Sequence, residues 1–245
     1  MSTRRTALVT GASRGIGLAI AHRLAAAQFD LTVSARSAGT LEPAAAALRG
    51  HGTRIEPAVA DMAVEEQLSA LAAQHVEQFG ALDVLVLCAG MGSAGPLDSY
   101  PVRRLDRQLA VNLRAPFLLV QHLLPALRAA AHRSEHGARI IAIASITGMA
   151  AEPGLAAYGA SKAALISLCE SVTVAEGGHG VTATAISPGY VDTEMASWQH
   201  DRIDPATMIS PADIAELAYG LTRLSRHAAV TNIPVTRPGP QLWRA

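Results

Sequence analysis

Thr6-Ala7-Leu8-Val9-Thr10-Gly11-Ala12-Ser13-Arg14-Gly15-Ile16-Gly17 is the stretch whose reading decides the fold. A short apolar run with the character of a strand meets three glycines in the spacing G-x-x-x-G-x-G. Ile16, Ile20 and Leu24 follow at the four-residue spacing of a helix. Glycine also ends strands for no functional reason. Here, however, the turn sits between the first strand and the first helix, where glycines permit a tight turn and close backbone approach. The helix start then offers free N–H groups and the positive end of its dipole to an anion. The stretch predicts a strand–turn–helix unit that cradles a pyrophosphate, with Gly11, Ser13, Arg14, Gly15, Ile16 and Gly17 around it.

The same alternation continues outward. Strands are expected at 6–10, 31–35, 54–59, 82–88, 139–144, 181–186 and 230–235, and helices at 16–27, 41–49, 65–79, 102–112, 116–131, 155–176 and 211–224. The runs at 82–88 and 139–144 are almost wholly apolar, as strands covered on both faces require. Strand and helix in strict alternation predict an α/β, Rossmann-type doubly wound fold. Its mainly parallel sheet has about seven strands, helices on both faces and right-handed crossovers. No linker, charge run or short repeat divides the chain, so residues 1–245 read as a single dinucleotide-binding domain. The one stretch that looks mobile is 192–209, which is polar and weakly periodic and contains Trp198 and Pro205.

The end of the second strand bears on which dinucleotide. Arg36 lies 36 − 17 = 19 residues beyond Gly17, in Ala35-Arg36-Ser37. A carboxylate there would bond the ribose 2′-hydroxyl of NAD, and none is present. Arginine accepts a 2′-phosphate instead, and Arg14 in the glycine turn is a second cation for it. NADP (NADPH) is expected over NAD; a solvated strand-end arginine is the plain alternative for Arg36.

Composition excludes several other classes. Half of the 245 residues are hydrophobic, 16% are charged, and twenty basic residues balance twenty acidic ones. With no basic excess, neither a nucleic-acid nor a membrane partner is expected. Cys88 and Cys169 sit in apolar runs and read as buried thiols, without disulfide or C-x-x-C spacing. The nine histidines show no metal-ligand spacing, so no metal is expected. Met1-Ser2-Thr3-Arg4-Arg5 runs into the first strand without an apolar leader core, and a cytoplasmic location is the expectation.

Nineteen of the twenty basic residues are arginine; the one lysine is Lys162. A chain so biased keeps lysine where a slender point charge is needed rather than a wide planar cation. Lys162 follows Tyr158 by four, so the two share one helix face. A surface helix pair is the bland alternative.

With the glycine turn and Tyr158-x-x-x-Lys162 both in view, the chain resembles the short-chain dehydrogenase/reductases over nearly its whole length. The resemblance extends to Asp61 with Met62 after the third strand, Ala89-Gly90 after the fourth, Asn112 in a helix and Ser145 at the end of the fifth strand. It includes Pro188-Gly189, with Val191 and Thr193 following. It implies that Arg36, Ser37, Asp61, Met62, Ala89 and Gly90 contact the cofactor, and that Pro188, Gly189, Val191 and Thr193 flank the nicotinamide. Asn112, Ser145, Tyr158 and Lys162 would form the catalytic set. Tyr158 would be the general acid or base, Ser145 would hold the substrate oxygen, and Asn112 would hold a water in a proton relay to Lys162. The ammonium would grip the cofactor ribose and lower the tyrosine pKa from its usual value near 10. The implied activity is hydride transfer between NADP(H) and a carbonyl or secondary alcohol.

Two stretches depart from the family pattern: Leu87-Cys88 stands where asparagines are usual, and 231–240 replaces the usual Asp-Gly-Gly close. The residues that the resemblance places near the substrate are Met91, Gly92, Ser93, Met149, Ala150, Leu155, Tyr190, Met195 and Trp198, mainly small or apolar, and it implies a short substrate lid at about 192–210. A small uncharged ketone or alcohol is therefore expected. A 3-oxoacyl-(carrier protein) reductase, with Arg103, Arg104 and Arg107 as candidate contacts, and a non-catalytic nucleotide-binding protein are the alternatives. The helices at 116–131 and 155–176 resemble the family's dimer-forming pair, which implies a homodimer or homotetramer.

Overall fold

A computed structural model describes residues 4–239; Met1–Thr3 and the last residue of the 231–240 run, Pro240, lie outside the described residues. Seven strands form one sheet: β1 Thr6–Thr10, β2 Asp30–Ala35, β3 Ile55–Val59, β4 Val84–Leu87, β5 Ala138–Ile143, β6 Val181–Pro188 and β7 Asn232–Val235. Their order is β3-β2-β1-β4-β5-β6-β7 and every pairing is parallel. The helices are α1 Gly15–Ala26, α2 Ala38–Arg49, α3 Glu65–Phe79, α4 Val102–Leu109, α5 Ala115–Arg133, α6 Ala156–Glu176 and α7 Pro211–Leu221.

Alternate residues along each central strand face opposite layers. Leu8 of β1, Leu85 and Leu87 of β4, and Ile140 and Ala142 of β5 pack beneath α3, α5 and α6. Ala7, Val9, Val84, Val86, Ile141 and Ile143 pack beneath α1, α2 and α7. The sheet is thus covered on both faces, which is why its central strands read as unbroken apolar runs.

The expected helices at 102–112 and 116–131 differ in detail. α4 ends at Leu109, a single π turn occupies Ala110–Arg114, and α5 follows without a break. Pro116 has no N–H to return to Asn112, four residues earlier, and is tolerated in the first turn of α5. The helix therefore bends through a π turn at Asn112 instead of stopping. The 192–210 segment also carries structure: short 3₁₀ turns at Glu194–Gln199 and Pro205–Thr207, closed at its neck by the Val191–Ile209 bridge. Among the described residues, no helix is long and apolar enough to cross a membrane.

One buried group couples the fold to pH. His75 of α3 has no exposed surface; its Nε2 donates to Ala81 O at 3.1 Å and its Nδ1 accepts from the Thr32 hydroxyl at 2.8 Å. Burial pushes its pKa down to about 4. The native state therefore holds it neutral, and unfolding lets it take up a proton below its ordinary pKa near 6.5. Stability from this group is full above that value and is lost as pH falls toward 4, by roughly 3 kcal/mol in all. Urea unfolding at neutral pH and at about pH 4 should show this loss, and His75→Gln should flatten that part of the dependence.

Candidate active site

Because all strands run the same way, their C-terminal ends share one edge. Sheet order reverses between β1 and β4, the point at which doubly wound sheets of this kind bind their ligands. The glycine turn lies there. Gly11 has φ +68°, and a Cβ on Gly17 would stand 2.2 Å from Gly11 O, so only glycine admits this approach. The first turn of α1 has neither a side-chain cap nor an acidic residue. Ser13 and Ile16 are half-buried; Arg14 is exposed and pairs with Glu194 of the 192–210 segment, while Gly15 lies against the Thr193 methyl.

The neighbouring strand ends supply the rest of the edge. Arg36 and Ser37 are exposed just past β2. Past β3, Asp61 accepts from the Ala63 N–H at 2.9 Å and meets Arg107 at 3.5 Å; Met62 is buried in the core. Past β4, the backbone N–H groups of Cys88 and Ala89 both donate to Thr10 Oγ1 at 3.1 Å. This threonine ties β4 to β1 where the family's asparagines are replaced. Past β6, Gly189 N–H donates to Val235 O, Val191 pairs with Ile209, and Thr193 Oγ1 donates to Val191 O.

Ser145, Tyr158, Lys162 and Asn112 come together in the middle of this edge. Lys162 is 4% exposed and donates from Nζ to Ile143 O at 2.8 Å. Its Nζ lies 5.7 Å from the centroid of the Tyr158 ring. The slot is narrow: a Cβ on Gly90 would stand 3.4 Å from Nζ and 3.5 Å from Asn112 Oδ1. A guanidinium is wider than this slot, which accounts for lysine at this one position. Asn112 is locked by Met91: Nδ2 donates to Met91 O at 2.8 Å and Oδ1 accepts from Met91 N–H at 2.9 Å. Nδ2 also reaches Ser161 Oγ, whose hydroxyl in turn donates to Tyr158 O. The side chain of Asn112 is thus a brace between the β4 loop and α6.

A short 3₁₀ turn, Ile146–Gly148, follows Ser145 and presses onto α6. A Cβ on Gly159 would stand 2.8 Å from Thr147 O, and one on Gly148 would stand 2.8 Å from Ala163 N. These approaches hold the Ser145 loop at a fixed distance from Tyr158.

The electrostatics differ from the sequence expectation that Lys162 lowers the Tyr158 pKa. Burial pushes the phenol up to about 12, the Ser145 hydroxyl pulls it back in part, and Cys88 adds to the rise. Burial pushes Lys162 down to about 8. Cys88 is pushed up to about 12 by burial, with the Lys162 charge acting against it. Desolvation dominates both groups, and what opposes it at the phenol is the Ser145 hydroxyl, not the Lys162 charge.

Among the residues expected near the substrate, Gly92 faces the Tyr158 ring and Ser93 Oγ meets Tyr100 OH at 2.6 Å. Tyr190 OH donates to Glu152 Oε1 at 3.0 Å and accepts from Gln199 Nε2 at 2.9 Å, with Trp198 packed edge-on to its ring. Met149, Met195 and Trp198 are exposed; Ala150 and Leu155 are half-buried. Sequence reasoning missed Thr10, Glu152, Thr147, Ser161 and Gln199. Only Ser161, beside Lys162, and Thr147, two after Ser145, carried a local signal, a hydroxyl next to a candidate residue.

A doubly wound parallel sheet with a glycine turn at its switch point defines a class of nucleotide-binding α/β proteins. The short chain dehydrogenase family model matches residues 5–203, and the chain belongs to that family. It is therefore an oxidoreductase of a family that acts on alcohol and carbonyl groups. It is similar to 2-(R)-hydroxypropyl-CoM dehydrogenase of Xanthobacter autotrophicus, 39% identical over 203 residues, 81% of this chain and 79% of that one. The 3-oxoacyl-[acyl-carrier-protein] reductase FabG of Staphylococcus aureus is 33% identical over 206 residues, 83% and 81% of the two chains. The solved structure of Pseudomonas aeruginosa RhlG in an NADP active-site complex superposes with TM-score 0.86 at 31% identity, covering 94% of each chain.

Two outcomes test this geometry. Because Lys162 is the only lysine, isotope-labelled lysine should give a single resonance that titrates near 8 in the ligand-free protein rather than near 10.5. Gly159→Ala should force Thr147 away from α6, with a stability loss of about 1–3 kcal/mol measured by chemical unfolding.

Proposed function

We propose that the protein is an NADP(H)-dependent oxidoreductase acting on a small uncharged ketone or secondary alcohol. The observation that carries this reading is the convergence of Ser145, Tyr158 and Lys162 at one strand-end edge, next to a glycine turn. That turn's backbone approach leaves no room for a Cβ at Gly17. The uncapped first turn of α1, free of acidic side chains, suits a pyrophosphate. Arg36, exposed at the end of β2, suits a 2′-phosphate. RhlG, similar to this chain, is described in complex with NADP. Ser37, Asp61, Met62, Ala89, Gly90, Pro188, Gly189, Val191 and Thr193 complete the proposed cofactor contacts along the same edge.

When bound, a nicotinamide supplies or accepts the hydride. Tyr158 then gives its phenolic proton to the substrate oxygen in reduction and takes it back in oxidation. Ser145 donates a hydrogen bond to that oxygen and stabilises the charge developing on it. Lys162 holds its positive charge beside the phenol. The mouth of the cleft presents Met149, Met195 and Trp198, which fit an uncharged substrate. A second reading, the same chemistry on a carrier-bound acyl chain, is favoured by Arg103 and Arg104, both exposed on α4. Assembly into a homodimer or homotetramer is part of the proposal. Phe117 of α5 is 53% exposed and Val174 of α6 is 87% exposed on the two helices expected to pair.

A panel of ketones, secondary alcohols and carrier-bound 3-oxoacyl thioesters, followed at the nicotinamide absorbance, tests the reading and separates the two substrate classes. Tyr158→Phe should lower turnover by about 10²-fold or more while NADPH still binds by fluorescence titration. Arg36→Ala should weaken NADPH but not NADH; an unchanged ratio would remove the role given to Arg36. Sedimentation showing only monomer would count against assembly.

A further inference from the structure

The hydrogen bonds behind Ser145 specify more than its position. Ser145 Oγ accepts from the Thr147 backbone N–H at 3.2 Å and from the Thr147 hydroxyl at 2.9 Å. A serine hydroxyl has two acceptor lone pairs and one proton. With both lone pairs engaged by the same residue, only the O–H is left to interact forward, and forward lies Tyr158. Thr147 is 6% exposed and Ser145 7%, so water does not compete freely for these lone pairs. The turn carrying Thr147 is itself fixed, because its carbonyl packs where a Cβ on Gly159 would stand, beside Tyr158 in α6.

We propose that Thr147 is a positioning residue that fixes Ser145 as a hydrogen-bond donor, toward the Tyr158 phenol in the free site and toward the substrate oxygen once substrate is bound. The inference rests on the proposed oxidoreductase reading and adds to it a residue and a direction. The chain runs Thr147 O–H to Ser145 O–H to the reacting oxygen. Each bond polarises the next, so Ser145 donates more strongly than an isolated serine does. The same direction is consistent with the effect of Ser145 on the phenol, which favours its ionised form. If Ser145 were free to turn, it could accept the phenolic proton instead. It would then hold Tyr158 neutral in the state where alcohol oxidation needs a base.

Thr147→Val removes the hydroxyl while leaving the backbone N–H bond and nearly the same volume, and Thr147→Ser restores the hydroxyl. On a substrate identified by the panel, Thr147→Val should lower kcat by about tenfold or more, with KM changed less than about threefold. The tyrosine limb of its oxidation pH profile should move to higher pH, and Thr147→Ser should recover both. Wild-type kcat and an unmoved limb in Thr147→Val would overturn the proposal. A second measurement does not depend on turnover. In protein carrying ¹³Cζ-tyrosine, with the Tyr158 resonance assigned by its loss in Tyr158→Phe, Thr147→Val should shift that resonance and Thr147→Ser should return it. An unmoved resonance overturns the proposal. A wild type that turns over no panel substrate overturns the functional reading alone, and the resonance still decides the role of Thr147.

Discussion

Burying one ammonium between the ends of β4 and β5 constrains most of the site. Among the described residues, Lys162 has no counter-ion at hydrogen-bond distance; it donates to the carbonyl of Ile143 and is shielded by Gly90, Asn112 and the Cys88 side. A charge held this way is costly, which is the physical reason its pKa falls toward 8. The neighbours must then leave a slot that fits a slender stem and nothing wider. Gly90 must be small, Asn112 must be braced against Met91, and α6 must lie close enough to β5 for Nζ to reach Ile143. That close approach is secured at Gly148 and Gly159, where the helix and the Ser145 turn touch backbone to backbone.

The two titrating groups of the set are displaced by the same cause in opposite senses. Desolvation favours the neutral form of each, raising the phenol and lowering the ammonium. Tyr158 is therefore stored as an acid, and the influence that opposes desolvation most is the Ser145 hydroxyl rather than Lys162. This shifts weight within the set. Lysine supplies charge at the phenol's flank, at 5.7 Å from the ring centroid, while serine acts on the phenol directly.

Much of this was readable from local patterns. All seven strands and the seven helices fall near their expected ranges, because a doubly covered parallel sheet writes itself as apolar runs alternating with helical periodicity. The sequence placed Ser145, Tyr158 and Lys162 on adjacent elements because their spacing is set by one strand end and one helix turn. What stayed hidden was three-dimensional balance. The Tyr158 shift has the sign of burial, and burial of a single phenol is not a property of four-residue spacing. The π turn was hidden as well, since Pro116 reads as a helix start until α4 is seen to run straight into it. Thr10 illustrates a third kind of loss: its hydroxyl joins β1 to the N–H groups of Cys88 and Ala89, 78 and 79 residues away, and no local motif encodes such a tie.

The substrate side shows why specificity was the least readable feature. Its polar network joins Glu152, Tyr190 and Gln199, contributed by the β5–α6 loop, the end of β6 and the 192–210 segment. None of these has a meaningful spacing to another, and the network exists only because β5 and β6 are neighbours in the sheet. The 192–210 segment is held unevenly as a result. On the glycine-turn side its polar link is the Arg14–Glu194 pair, with both side chains more than half exposed. Exposed pairs contribute about 0–1 kcal/mol and are screened by salt. On the substrate side, Gln199 is buried and holds Tyr190 through a hydrogen bond that solvent cannot easily replace. The firmer anchor of this segment therefore lies at Tyr190, and the looser one over the glycine turn.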